Sequence, residues 1–105
     1  MGKSAKIEEV VNRLAVALRH RIGALLGTNK DYAKRYLYDS IELINQAREI
    51  VIDLHLNVED KQELKIKLSH KLQKELEVNE FIPEKKFQIM NSEIDNVLRE
   101  LGILY

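Results

Sequence analysis

The chain has 105 residues, which is enough for one domain with one hydrophobic core. It contains no cysteine, so no disulfide bond is possible, which suits a reducing compartment. No apolar run approaches the roughly 18 residues of a membrane-spanning helix, and the N-terminus lacks the apolar segment of a signal peptide. We therefore expect a single domain over residues 1–105, located in the cytoplasm and without membrane contact.

The 17 basic and 17 acidic side chains cancel overall but are unevenly distributed. Residues 1–38 contain eight basic and three acidic residues, a net charge of +5, whereas residues 39–105 contain nine basic and fourteen acidic residues, a net charge of −5. Such asymmetry is typical of an electrostatic binding face. It is equally typical of helices that attract one another within a bundle.

The first predicted helix covers residues 4–26, because apolar residues recur at spacings of three and four and Gly27 supplies a stop. A turn at Thr28 and Asn29 follows, where Thr28 and Asp31 resemble a capping box.

The second predicted helix covers residues 30–56. Its apolar arc is about twice as wide as the stripe of roughly 100° on an ordinary surface helix. We interpret it as the central element of the domain, in contact with several neighbours.

Arg48 and His55 lie within that arc, seven residues apart and hence on one line of the predicted helix. A buried arginine is costly unless it is paired. One interpretation is a polar layer in an oligomer interface, and the other is an edge position in which Arg48 bonds a carboxylate or carbonyl.

The third predicted helix covers residues 58–78, with Asn57 as its cap, Asp60 in its first turn and a leucine every fourth residue from Leu64 to Leu76. The fourth covers residues 83–101, beginning at Pro83 and ending at Gly102. Short connections favour antiparallel neighbours, so the predicted fold is an all-α, antiparallel up-down-up-down four-helix bundle. The apolar tail that ends in Tyr105 is expected to dock on a neighbour in a homo-oligomer.

Basic residues follow one line of the first predicted helix at seven-residue spacing, which is about 10.5 Å per step. Further basic residues flank this line and open the next helix. The pattern predicts a surface for RNA phosphates or an acidic partner protein. Its members are Lys6, Arg13, Arg19, His20, Lys34 and Arg35.

The chain has no motif that strongly predicts catalysis or a cofactor. Arg13 and His20 form Arg-x6-His, which is similar to the Arg-x4–6-His motif of the HEPN ribonucleases, where the arginine steadies phosphate charge and the histidine aids attack by the 2′-hydroxyl. Neither Glu-x-x-His nor His-Glu-x-x-His occurs, and no glycine-rich phosphate loop is present. We expect a protein that is not an enzyme and has no metal, cofactor or small-molecule substrate, with a HEPN-type ribonuclease as one alternative.

A pattern over residues 30–102 resembles a known family. It comprises Phe81-Ile82-Pro83-Glu84-Lys85-Lys86-Phe87, the helical stretch 94–102 ending in Gly102, and Arg35-Tyr36-Leu37 near the start of the second predicted helix. The family consists of small four-helix bundle proteins, either encoded in intervening sequences of bacterial large-subunit ribosomal RNA genes or serving as accessory variability determinants of diversity-generating retroelements. The resemblance implies a homo-oligomeric ring, typically a pentamer, that binds a reverse transcriptase and RNA. The alternative from the residues alone is a protein-binding or structural bundle without a nucleic-acid role.

Overall fold

The computed structural model describes residues 2–27, 30–80 and 82–104. These residues form four helices, and no strand occurs among them. The helices are α1 (Lys3–Leu26), α2 (Lys30–Ile52), α3 (Val58–Val78) and α4 (Lys86–Glu100). Their Cα radius of gyration is 13.5 Å, close to the ~13 Å expected for a folded chain of about 100 residues. The predicted all-α four-helix bundle is confirmed.

Helix α1 lies at the centre of the bundle. It contacts each of the other three helices, whereas α2, in the described part of the chain, has extensive contact with α1 alone. Nine residues of α1 are buried, compared with three of α2. The interpretation of the second helix as the central element is therefore wrong. Ala15, Ala17 and Gly23 extend the buried surface of α1, because small side chains let neighbouring helices approach closely.

The core consists of the buried faces of α1, α3 and α4 and a narrower face of α2. In α3 the leucines from Leu64 to Leu76 at four-residue spacing are all fully buried, as predicted. Ile94 and Leu98 of α4 complete the layer on the other side of the core. Truncating such a side chain to alanine typically costs about 2–5 kcal/mol, so these leucines are a major source of stability.

The two helix ends with the clearest sequence signals form as predicted. Asn57 and Asp60 make a reciprocal capping box, in which the Asp60 N–H donates to Asn57 Oδ1 at 2.8 Å and the Asn57 N–H donates to Asp60 Oδ2 at 3.1 Å. Gly102, at φ 73°, ends α4 in a Schellman motif, because the Ile103 N–H donates to Leu98 O at 2.8 Å. Ile103 is only 3% exposed, so this part of the tail docks on the core of its own chain. Tyr105 lies outside the described residues, as does the predicted cap at Thr28.

Two helix boundaries differ from the prediction. Helix α2 ends at Ile52 rather than at residue 56, because Asp53 and Leu54 form a turn and His55 adopts φ 49°. His55 is therefore not on a helical line with Arg48, which corrects the interpretation of a shared line. Helix α4 begins at Lys86 rather than at residue 83, since the carbonyl of Pro83 accepts a turn hydrogen bond from the Lys86 N–H at 2.9 Å.

Lys86 is a buried charged residue that the sequence did not indicate as one. It is only 3% exposed, and its ammonium donates to the carbonyl oxygens of Leu76 and Asn79, the latter at 2.8 Å. These carbonyls lie at the C-terminal end of α3, where backbone acceptors lack partners within the helix and the helix dipole favours a cation. Lys86 therefore closes α3 and joins it to α4.

Candidate functional site

The N-terminal part of the predicted basic line is engaged within the protein. The Arg13 guanidinium donates to Glu9 at 3.1 Å and to the side-chain oxygen of Gln46 on α2. Lys6 lies 3.6 Å from the same Glu9 carboxylate. These contacts lower the pKa of the Glu9 carboxyl, with the Arg13 hydrogen bond as the main cause. Lys6 and Arg13 are thus partly neutralised by one acidic neighbour.

Arg19 is directed toward α3. One of its guanidinium nitrogens lies 2.9 Å from Glu75, and another lies 3.0 Å from Nε2 of His20. Arg21, the next arginine along the chain, pairs with Glu93 of α4 at 2.8 Å. Basic residues of the first third thus meet acidic residues of the remainder inside one bundle. These pairs support the explanation of the charge asymmetry as attraction between helices.

His20 lies in a half-buried position between α1 and α2. Its ring centroid is 5.2 Å from that of Tyr36, and Nδ1 lies 3.8 Å from a carboxylate oxygen of Asp39. Burial lowers the pKa of His20, the positive charge of Arg19 lowers it further, and Asp39 opposes both. Nδ1 is buried without a hydrogen-bond partner among the described residues. His20 and Arg13 therefore point to different neighbours, although Arg-x6-His places them on one side of α1.

Lys34 and Arg35 differ from the other predicted binding residues. Both are exposed near the N-terminal end of α2, and neither forms an ion pair within the described ranges. Lys30, one turn earlier, is also exposed. The structure therefore divides the predicted surface into an internally paired part on α1 and an exposed basic end on α2.

Two of the three predicted interface residues, Arg48 and His55, lie within the described part of the chain, on α2 and just after its end. Arg48 is exposed, and its guanidinium donates to Asn45 Oδ1 at 2.8 Å. The side-chain amide of Asn45 thus supplies a carbonyl oxygen of the kind expected for an edge position. His55 is exposed beyond the end of α2, where its carbonyl oxygen accepts a hydrogen bond from Lys3 at 3.1 Å.

The most distinctive surface of the described chain is a strip along the outer side of α2, here called the α2 strip. Three large apolar side chains are exposed there: Tyr38 by 66%, Ile41 by 58% and Ile52 by 68%. Asn45 and Arg48 lie between them at helical spacing. The strip exists because α1 covers only one half of the wide apolar arc, the half that contains Ser40, Ile44 and Ala47. Its members are Tyr38, Ile41, Asn45, Arg48 and Ile52.

An open groove of about 420 Å³ lies beside the α2 strip and is lined by residues of α1, α2 and α4. Two exposed leucines, Leu25 and Leu37, supply its apolar surface, and Leu37 lies one helical turn before Ile41 of the strip. The groove widens the surface open to a partner beyond the strip itself. Its lining residues are Arg21, Leu25, Leu37, Glu93, Asn96, Arg99 and Glu100.

No cluster of histidine and acidic side chains suited to a metal occurs in the described ranges. Among the described helices, none combines the length and apolar character needed to cross a membrane. The fold and surface thus define a small helical bundle with an uncovered apolar strip. Comparison of the chain with protein-family models, with curated proteins and with solved structures gave no match in any of the three.

Proposed function

We propose that this protein is a non-enzymatic, homo-oligomeric helical bundle that acts as an assembly or accessory factor. The observation that carries the proposal is the α2 strip, whose three large apolar side chains are more than half exposed. Contiguous apolar surface of this kind is typical of protein interaction sites. The core beneath it is complete, because α1 and α3 bury their apolar rows within the chain.

The strip is large enough for weak self-association. Burying one large apolar side chain contributes roughly 1.5–3 kcal/mol. Self-association buries the three side chains of each copy, so the gain is about 6–12 kcal/mol once the part already buried is allowed for. Association costs about 4–15 kcal/mol in lost freedom. The largest net gain from these ranges is about 8 kcal/mol, which corresponds to micromolar affinity, so the strip by itself supports at most a micromolar, concentration-dependent oligomer.

Light scattering coupled to gel filtration over a range of micromolar concentrations tests this proposal. The expected result is a mass above the 12.3 kDa of one chain that rises with concentration. Ile41→Glu should reduce it to the monomer mass. Ile66→Glu is the matched control, because Ile66 lies on α3 and is exposed by the same 58% as Ile41.

Two results would count against the proposal. A mass of one chain at every concentration contradicts self-association. Equal loss of the oligomer in Ile41→Glu and Ile66→Glu shows that an added charge is disruptive on either helix. The α2 strip is then not the specific interface. Circular dichroism of both variants should show an intact helical fold, since both positions are exposed.

A nucleic-acid role is the second candidate function. The observation in its favour is the exposed basic end of α2, formed by Lys30, Lys34 and Arg35. In an oligomer each copy repeats this end, so several weak phosphate contacts act together. The resemblance to retroelement accessory proteins adds a reverse transcriptase as a partner whose acidic surface or bound RNA would meet the same residues.

This candidate predicts RNA binding near 50 mM salt that is largely lost by a few hundred millimolar, because each phosphate contact on a single strand contributes a log–log slope of about −0.7. Lys34→Glu/Arg35→Glu should weaken binding much more than Lys71→Glu/Lys74→Glu, a matched pair of exposed residues on α3, when the two variants are compared at concentrations at which light scattering gives the same mass. Absence of binding at low salt leaves only the protein-assembly function. Cleavage of RNA that disappears in His20→Ala would indicate the ribonuclease instead.

A further inference from the structure

The α2 strip has the spacing of a two-helix seam. Its residues Tyr38, Ile41, Asn45, Arg48 and Ile52 follow one another at intervals of three, four, three and four, which is the repeat of core positions in a coiled coil. Apolar side chains lie toward the two ends of the strip. The middle is polar, where Arg48 donates to Asn45 at 2.8 Å. Polar residues at such core positions set the register of helix pairs.

The charges beside the strip differ between its two ends. Lys34 and Arg35 are exposed near the N-terminal end of α2, and Glu49 and Asp53 are exposed near its C-terminal end. An antiparallel copy of α2 places the basic end opposite the acidic end at both extremities of the contact. A parallel copy places like charges opposite one another and brings Arg48 to face Arg48. These charges therefore favour the antiparallel orientation.

From this arrangement we infer that the α2 strip pairs with the same strip of a second copy, antiparallel, about a two-fold axis that passes near residue 45. The inference rests on the proposed self-association and specifies its geometry. A two-fold contact is isologous, so every residue of the strip meets a counterpart from the same strip. Tyr38 of one copy lies beside Ile52 of the second, and the polar residues Asn45 and Arg48 meet near the axis.

In the antiparallel pair, the distances between equivalent residues of the two copies differ from those in a parallel pair. With 1.5 Å rise per residue, the two copies of residue 38 are about 21 Å apart along the helix axes, and so are the two copies of residue 52. Residues 38 and 52 of opposite copies lie at nearly the same height. A disulfide needs Cα atoms within roughly 7 Å. In the antiparallel pair only the mixed disulfide between positions 38 and 52 can form.

Cysteine cross-linking tests the orientation directly, because the wild-type chain contains no cysteine. Tyr38→Cys and Ile52→Cys are mixed, oxidised at a concentration at which the oligomer forms, and analysed by non-reducing intact-mass spectrometry. The three disulfide-linked dimers have three different masses. The expected product is the mixed 38–52 dimer, formed at least about tenfold more than either self-linked dimer, since only that pair satisfies the distance limit. Ile66→Cys, exposed on α3, measures the background from random collisions.

Three other results are possible, and each contradicts a specific claim about the contact. Self-linked dimers of both variants above the Ile66→Cys background show a parallel pair and refute the inference. A light-scattering oligomer that gives no product above background, even with Asn45→Cys near the proposed axis, places the contact elsewhere; the inference then fails while the proposed self-association stands. A monomer at all concentrations refutes both.

Charge reversal provides an independent test that leaves the apolar residues in place. Lys34→Glu/Arg35→Glu makes both ends of the contact acidic, so we expect the dissociation constant of the dimer to rise about tenfold at low salt. Adding Glu49→Lys/Asp53→Lys to the same chain should restore it, because each end again faces its opposite. In a parallel pair the like charges still face each other in every variant, so an unchanged dissociation constant refutes the antiparallel orientation.

Discussion

Replacing Lys86 with methionine should destabilise the protein considerably. The substitution keeps most of the side-chain length but removes an ammonium that is 3% exposed and donates to the carbonyls of Leu76 and Asn79. Hydrogen bonds from a charged group contribute about 1.5–3 kcal/mol each. The two carbonyls at the end of α3 would keep only backbone donors, the Asn79 N–H at 3.3 Å and the Ile82 N–H at 3.2 Å. Part of this loss is offset because a buried cation no longer has to be desolvated. We expect a decrease of about 2–3 kcal/mol in the free energy of unfolding.

Urea denaturation followed by circular dichroism measures this decrease, and the slope of the transition should stay unchanged if only stability is altered. Lys85→Met is the matched control, because Lys85 is the preceding residue and is exposed. It should change the free energy of unfolding by no more than about 0.5 kcal/mol. An equally small change in Lys86→Met would refute the conclusion that Lys86 joins α3 to α4.

Three further predictions concern single positions. Since the pKa of His20 is lowered in the folded protein, its contribution to stability is complete above about pH 6.5 and is lost as the pH falls through the folded pKa. The free energy of unfolding should thus fall more steeply between pH 7 and pH 5 in the wild type than in His20→Gln, and parallel profiles would contradict this. Gly102→Ala should cost about 1 kcal/mol in urea denaturation through the φ of 73° alone, because an added Cβ meets no atom within 4 Å. Arg48→Ala should cost under about 1 kcal/mol at concentrations that keep the protein monomeric, since exposed Arg48 bonds only Asn45, whereas a loss of 2–4 kcal/mol would show a buried pair.

Features that depend on residues close in the chain were predictable. The bounds of α3, residues 58–78, are those expected from the sequence, and its leucines from Leu64 to Leu76 are all buried. The capping box at Asn57 and the helix end at Gly102 also follow from local rules, because their partners lie within a few residues. Helical periodicity therefore established the all-α class and the number of helices.

The candidate surface was only half predictable. The wide apolar arc of α2 indicated more apolar surface than one neighbour can cover, and the structure leaves part of that arc exposed as the α2 strip. The sequence did not indicate which half would be exposed, since Ile44 and Ile41 are equally apolar and lie only three residues apart. That choice depends on the direction from which α1 packs.

Only the tertiary structure decided which helix is central and which charges are free. A helical wheel measures how much apolar surface a helix has, and α2 has the wider arc, but Ala15, Ala17 and Gly23 allow close packing around α1. The arginines of α1 appeared to be a continuous basic face, yet Arg19 and Arg21 pair with acidic residues more than fifty positions away. Periodicity along one helix contains no information about such partners, because they are brought together by the packing of the helices and not by their separation in the chain.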